Sequence, residues 1–211
     1  MGLTDLFYPK KCVLCEEMLE KGAFEFCHTC RSSWPELGRS SRKVPHTDRW
    51  AAVWKYEGHV RDSLIRYKFA NRQSYAVPYG RMMALTVQRE LDEPFDYIAY
   101  VPISAQRKRH RGYDQVELLA EVISKELRLP YRRVLTKIRH NDPQSGIEDA
   151  AMRRANVLNA YRVTKPEEVA GKHILLLDDI ITTGATMGEC ARMLRLAGAE
   201  TICGLSVAAK E

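Results

Sequence analysis

Hydrophobic and polar positions along this chain repeat with two different periods, and the switches between them mark out its elements. An apolar-rich run from Trp50 to Tyr56 reads as a strand. Helical spacing follows through Leu64, Ile65 and Phe69, and again from Ser74 to Leu91. Asp96 to Ile103 reads as a strand that ends at Pro102. Val116, Leu119, Ile123 and Leu127 fall at helical spacing within Gln115 to Leu127, and Val134 to Ile138 is a further short strand. The clearest strand is His173 to Asp178, whose continuous Ile174-Leu175-Leu176-Leu177 run suits a strand covered on both faces. Met187, Cys190, Ala191 and Leu194 share one face of a helix over Ala185 to Leu196, with Gly198 placed to close it. Thr201 to Ala208 returns to strand. This alternation predicts an α/β fold with a mostly parallel sheet flanked by helices.

A chain of 211 residues accommodates one such domain and a small accessory module. With 45% hydrophobic and 28% charged residues it has the composition of a globular protein. No apolar run approaches the roughly 20 residues of a membrane helix, so no membrane insertion is expected. Met1-Gly2-Leu3-Thr4-Asp5 lacks the basic start and apolar core of a signal peptide, and a cytoplasmic location is expected. A net charge of +6 suits polyanionic partners such as phosphates or nucleic acid, without choosing between them.

The cysteines change the picture at the N-terminus. Four of six form Cys12-x-x-Cys15 and Cys27-x-x-Cys30, while Cys190 and Cys203 lie in apolar runs and read as buried small residues. Two such turns in a reducing compartment complete a tetrahedral thiolate site better than they form disulfides. The metal ligands expected are therefore Cys12, Cys15, Cys27 and Cys30 around a structural zinc, with a redox or disulfide role as the alternative. His28 lies inside the second pair, but four thiolates already saturate the ion. Gly22 suits a short hairpin between the turns, and Arg39-Ser40-Ser41-Arg42-Lys43 reads as a solvated connector. The expected division is a four-cysteine zinc-binding module with linker over residues 1–44 and an α/β domain over 45–211.

Chemistry concentrates where the most apolar strand ends. Asp178-Asp179 is followed by Ile180-Ile181 and then Thr182-Thr183-Gly184-Ala185-Thr186, immediately before a helix. Ligands of open α/β sheets sit at the carboxyl ends of strands. Hydroxyls and backbone N–H groups that open a helix bind anions, and Gly184 lets the backbone approach a phosphate. Two adjacent carboxylates accept hydrogen bonds from a diol or help hold magnesium. A second run, Arg107-Lys108-Arg109-His110-Arg111-Gly112-Tyr113-Asp114-Gln115, reads as a basic loop before a helix, with guanidinium groups suited to a diphosphate. Lys68, His110 and Lys137 are lesser candidates, each read first as an ordinary surface residue.

The run ILLLDDIITTGAT resembles the phosphoribosyl-diphosphate (PRPP) binding motif of type I phosphoribosyltransferases. Together with the cysteine pairs and VPIS followed by RHRGYDQ, it resembles the ComF family of competence-associated proteins, including the GntX-like members, over nearly the whole chain. The resemblance implies a type I phosphoribosyltransferase-like fold, PRPP as ligand and Mg²⁺ with it. Asp178 and Asp179 would be the catalytic, ribose-binding pair. Thr182, Thr183, Gly184, Ala185 and Thr186 would bind the 5′-phosphate, and Arg109, Arg111 and Gly112 the diphosphate. Gln144, Arg153 and Asn156 resemble the spaced Q…R..N of a mobile flap. Departures are Asp114 where Asn is expected and Ile147 where Leu is expected. Asp114 sets a carboxylate beside the diphosphate site, there either to weaken anion binding or to cap the next helix. Thr182 stands where 6-oxopurine transferases carry an acid, which argues against purine salvage. The function implied is phosphoribosyl transfer to an unnamed acceptor, linked to competence and DNA uptake. The alternative is a non-catalytic adaptor that binds single-stranded DNA and a helicase-like partner, with a regulatory or vestigial PRPP site.

Overall fold

The computed structural model describes residues 10–20, 22–23, 25–139 and 155–211. Its main sheet is mixed, with strand order β1-β2-β7-β6-β3. These strands are β1 (Glu36–Arg39), β2 (Arg49–Lys55), β3 (Tyr97–Tyr100), β6 (His173–Ile181) and β7 (Thr201–Ala209). β1 runs antiparallel to β2 at the edge, and the pairings β2–β7, β7–β6 and β6–β3 are all parallel. A separate antiparallel ribbon joins β4 (Leu135–Lys137) to β5 (Tyr161–Val163). The type I phosphoribosyltransferase-like class anticipated above is the observed one.

The helices are α1 (His28–Ser32), α2 (Gly58–Phe69), α3 (Ala76–Glu90), α4 (Ala105–Arg111), α5 (Gln115–Leu127) and α6 (Ala185–Leu196). The period-2 alternation of β6 explains its uniform apolarity. Leu175 and Leu177 join the core formed with α2, α3 and α5, whereas Ile174 and Leu176 join the opposite core with α6 and the ribbon. α3 and α5 approach closely because Gly80 has no side chain; a Cβ there would stand 2.6 Å from Val122 Cβ.

Local chemistry sets the ends of these helices. Asp114 caps α5 by accepting the N–H groups of Val116 at 3.1 Å and Glu117 at 3.4 Å, and a third from Ile103 at 3.1 Å. Of the two roles open to this carboxylate, capping is the one it performs. The basic run expected as a loop is instead the seven-residue helix α4. Ser104 Oγ accepts Arg107 N–H at its start, and Gly112, at φ +83°, closes it in the left-handed conformation.

The cysteine module lies on the first core layer, not apart from it. Phe26 and Trp34 pack edge-on against each other and against Trp54 of β2, at centroid distances of 5.4, 5.9 and 5.8 Å. The expected solvated connector is also anchored. Arg39 ends β1, and Arg42 donates from Nη1 to Thr182 O at 2.5 Å while lying 5.1 Å from the ring of Trp50. No helix among the described residues is long and apolar enough to cross a membrane.

Candidate functional site

β6 delivers its two carboxylates by staying in register with β7 past the point where the polar residues begin. Asp178 pairs with Ser206 and Ile180 with Ala208, so the strand runs three residues beyond the expected end at Asp178. Both carboxylates are buried. Burial and the neighbouring charge of Asp179 hold the Asp178 carboxyl well above the ordinary range, while the Lys68 ammonium acts in the opposite sense. Asp178 also accepts the N–H of Asp179 at 2.8 Å.

Asp179 is held from two sides. Lys68 Nζ lies 2.9 Å from its Oδ1, and Gln115 Nε2 donates to Oδ2 at 2.7 Å. Gln115 Oε1 in turn accepts from Arg111 Nη1, and the Arg111 guanidinium sits 5.2 Å over the ring of Phe69.

After β6 the chain turns through Gly184, at φ +77°, straight into α6. The N-cap residue Gly184 has no side chain to cap this helix, so the start of α6 and its dipole face one concavity. That concavity is lined by Asp178, Thr182, Gly184, Ala185 and Thr186, among others. A Cβ on Gly184 would stand 3.0 Å from Val44 Cγ2, so the connector itself leaves no room behind the turn. A carboxylate and a helix start in one hollow suit a phosphorylated ligand that carries hydroxyls.

The structure thus brings Asp178 together with Thr182, Gly184, Ala185 and Thr186, and Thr183 lies in the same turn, its Oγ1 accepting Ala185 N–H at 3.4 Å. Arg111 joins through Gln115. Arg109 and Gly112 are exposed, on and after α4. Of the flap residues, Gln144 and Arg153 lie outside the described residues, as does Ile147; Asn156 opens the segment that leads to β5. The chain also places Lys137 of β4 near the pair, its ammonium 5.3 Å over the Tyr161 ring. Burial, then the charge of Arg107, lowers the Lys137 pKa, against the pull of Asp178. Gln115 and Arg42 carry no sequence signal for their contacts, because each depends on which elements meet.

The second constellation is the cysteine cluster. The sulfur atoms of Cys12, Cys15, Cys27 and Cys30 all lie within 4.8 Å of one another, and all four are free thiols. Cys15 Sγ and Cys27 Sγ are 3.6 Å apart, close to the edge of about 3.8 Å in a tetrahedron with Zn–S bonds of about 2.3 Å. Cys30 N–H donates to Cys27 Sγ at 3.4 Å, tying the second cysteine pair together. The donor set is compatible with structural zinc.

Comparison with known proteins agrees with this geometry. Residues 117–210 match the phosphoribosyl transferase domain family. The chain is 29% identical to the DNA utilization protein YhgH of Escherichia coli O157:H7, over 93% of this chain and 96% of that protein. It is 28% identical to Competence protein F of Haemophilus influenzae, over 90% of this chain and 86% of that protein. Among solved structures, a glutamine PRPP amidotransferase from B. subtilis is 23% identical with a TM-score of 0.45, over 68% of this chain and 30% of that one. The cysteine cluster, the acidic strand end and these relatives together support the resemblance to the ComF family, with a phosphoribosyl transferase domain match over residues 117–210.

Proposed function

We propose that this protein binds PRPP with Mg²⁺ and displaces diphosphate from C1 of the ribose in favour of an acceptor. The observation that carries the reading is a single hollow. A buried acidic strand end and the glycine-opened start of α6 face it together. Asp178 and Asp179 accept the vicinal ribose hydroxyls. The hydroxyls of Thr182, Thr183 and Thr186, with the N–H groups from Gly184 onward, take the 5′-phosphate. Mg²⁺, when bound with PRPP, neutralises the diphosphate oxygens. As the C1–O bond breaks, its electron pair leaves with diphosphate while the acceptor's lone pair forms the new bond to C1. Arg109 and Arg111 then stabilise the leaving charge, and the fixed ribose limits the reaction to an in-line approach. Gln144, Arg153 and Asn156 are proposed as a flap over the bound ligand. Zinc at the four cysteines serves structure, since four thiolates leave no open position for chemistry.

Calorimetric titration of PRPP with and without Mg²⁺, repeated on Asp178→Ala/Asp179→Ala, tests the site. Mg²⁺-dependent binding that disappears in the variant is expected; affinity retained in the variant refutes the assignment of the acidic pair.

A specific observation favours a second role on the same surface. Phe69 is 74% exposed, stacks with Arg111, and neighbours the basic helix α4. An exposed ring beside fixed positive charge suits single-stranded DNA, and one relative is named a DNA utilization protein. This role predicts binding that weakens steeply with salt, and no gel shift at low salt removes it.

A further inference from the structure

Lys68 belongs to α2, well outside the matched segment 117–210, yet its ammonium is the charged group 2.9 Å from Asp179. The contact is built, not incidental. α2 is fixed to the cysteine module by Ser63 Oγ donating to Val13 O and Arg66 Nη2 donating to Leu14 O, each at 2.5 Å. Both acceptors lie inside the Cys12-x-x-Cys15 turn. At its other end α2 is fixed to α5. Tyr67 OH donates to Gln115 O at 2.7 Å, and Tyr113 OH donates to Tyr67 O. The Lys68 side chain is only 21% exposed, beside a carboxylate that is 7% exposed.

That arrangement conflicts with the ribose reading unless something moves. Both oxygens of Asp179 already have partners, and a ribose hydroxyl must replace or join one of them. Gln115 is clamped by Arg111, whereas Lys68 ends in a flexible four-carbon stem with three donors. In PRPP the carbon that bears the diphosphate adjoins the one bearing the 2-hydroxyl, so a displaced ammonium finds negative charge within reach. Resting on the PRPP reading above, we infer that Lys68 is a PRPP-binding residue. Its ammonium pairs with Asp179 and passes to the diphosphate when the ribose hydroxyls take its place. The zinc module, through α2, preorganises this handover.

The test uses the full-length, zinc-loaded protein and its Lys68→Met and Lys68→Arg variants. Each is titrated with PRPP, pyrophosphate and ribose 5-phosphate in Mg²⁺, with thermal melts and zinc content as folding controls. Loss of one charge-assisted contact predicts PRPP and pyrophosphate binding roughly ten- to a hundredfold weaker in Lys68→Met. Ribose 5-phosphate binding should be unchanged or tighter, and Lys68→Arg should restore most of the pyrophosphate affinity. Equal loss for ribose 5-phosphate would mean that Lys68 only positions Asp179, and tighter binding of all three would mean that it only blocks; either overturns the handover. Unchanged PRPP affinity in Lys68→Met overturns it while leaving the PRPP site standing. Absence of PRPP binding to the wild type refutes both together.

Discussion

Replacing Asp178 with Asn should stabilise the protein at neutral pH while abolishing its ligand. The Asp178 carboxyl is buried, and burial together with the adjacent charge of Asp179 raises its pKa well above the ordinary value. Asn keeps the shape and the oxygen that accepts Asp179 N–H, and removes the buried charge. The sign follows from linkage. A carboxyl whose pKa is higher in the folded state binds more protons there than in the unfolded chain, so it costs stability as pH rises through that raised value. Below about pH 4 both states are protonated and the favourable contribution is fully present. One proton changes stability by at most about 1.4 kcal/mol per pH unit, and the Lys68 charge offsets part of that. Asp178→Asn should therefore be more stable than the wild type at neutral pH, by a margin that is smallest near pH 4 and widens toward pH 8 by no more than about 1.4 kcal/mol for each pH unit. Asp114, whose carboxyl burial also raises, titrates in both proteins and largely cancels in the difference. Paired thermal or urea unfolding curves across this pH range measure the gap. A gap that does not change with pH, or a variant less stable at pH 8, refutes the claim that the binding site stores the cost of a buried charge.

Two other perturbations read separate parts of the structure. Gly184→Ala places a Cβ 3.0 Å from Val44 Cγ2 at a φ of +77°, so it should cost about 1–3 kcal/mol of stability and weaken PRPP at least as strongly as any single threonine change, checked by melting and calorimetry. Cys30→Ser should lower zinc from about one per chain to near none by elemental analysis, and the melting transition should broaden and fall because the module that docks α2 loses its metal.

Much of this architecture is legible in residues that carry their own local signals. α5 begins where Asp114 can cap it and α6 where Gly184 can turn, so the expected spans Gln115–Leu127 and Ala185–Leu196 are the observed ones. The acidic pair and the Thr-Gly turn were readable because strand, carboxylates and helix start adjoin in the sequence. What escaped depends on distant partners. β1 has no alternation of its own and exists by pairing with β2. The basic run forms α4 because Ser104 and Gly112 close both its ends, a signal outweighed in the sequence by six successive polar residues. Arg42 looks like one more connector charge until Thr182 and Trp50 meet it. Lys68 reads as a helix-surface cation; only the docking of α2 against α5 brings it to Asp179.

The same dependence on distant partners decides what happens if residues 1–44 are removed. The proposed α/β unit over 45–211 would lose Phe26 and Trp34 from the face of Trp54, Leu14 from the core over α2, β1 from the sheet edge, and Val44 from behind Gly184. Each buried aromatic or aliphatic side chain contributes about 1.5–3 kcal/mol, so Leu14, Phe26 and Val44 alone amount to roughly 5–9 kcal/mol. That is comparable to the whole stability of an ordinary domain, about 5–15 kcal/mol. The newly bared β2 edge and tryptophan would also favour association. The fragment is therefore expected to lose its near-ultraviolet circular dichroism and cooperative melt while keeping much of its helical signal. A monomeric fragment that melts cooperatively within a few degrees of the full chain would show instead that the cysteine module is an appendage. In that case the ordering of α2, and with it Lys68, would need another source than the zinc turn.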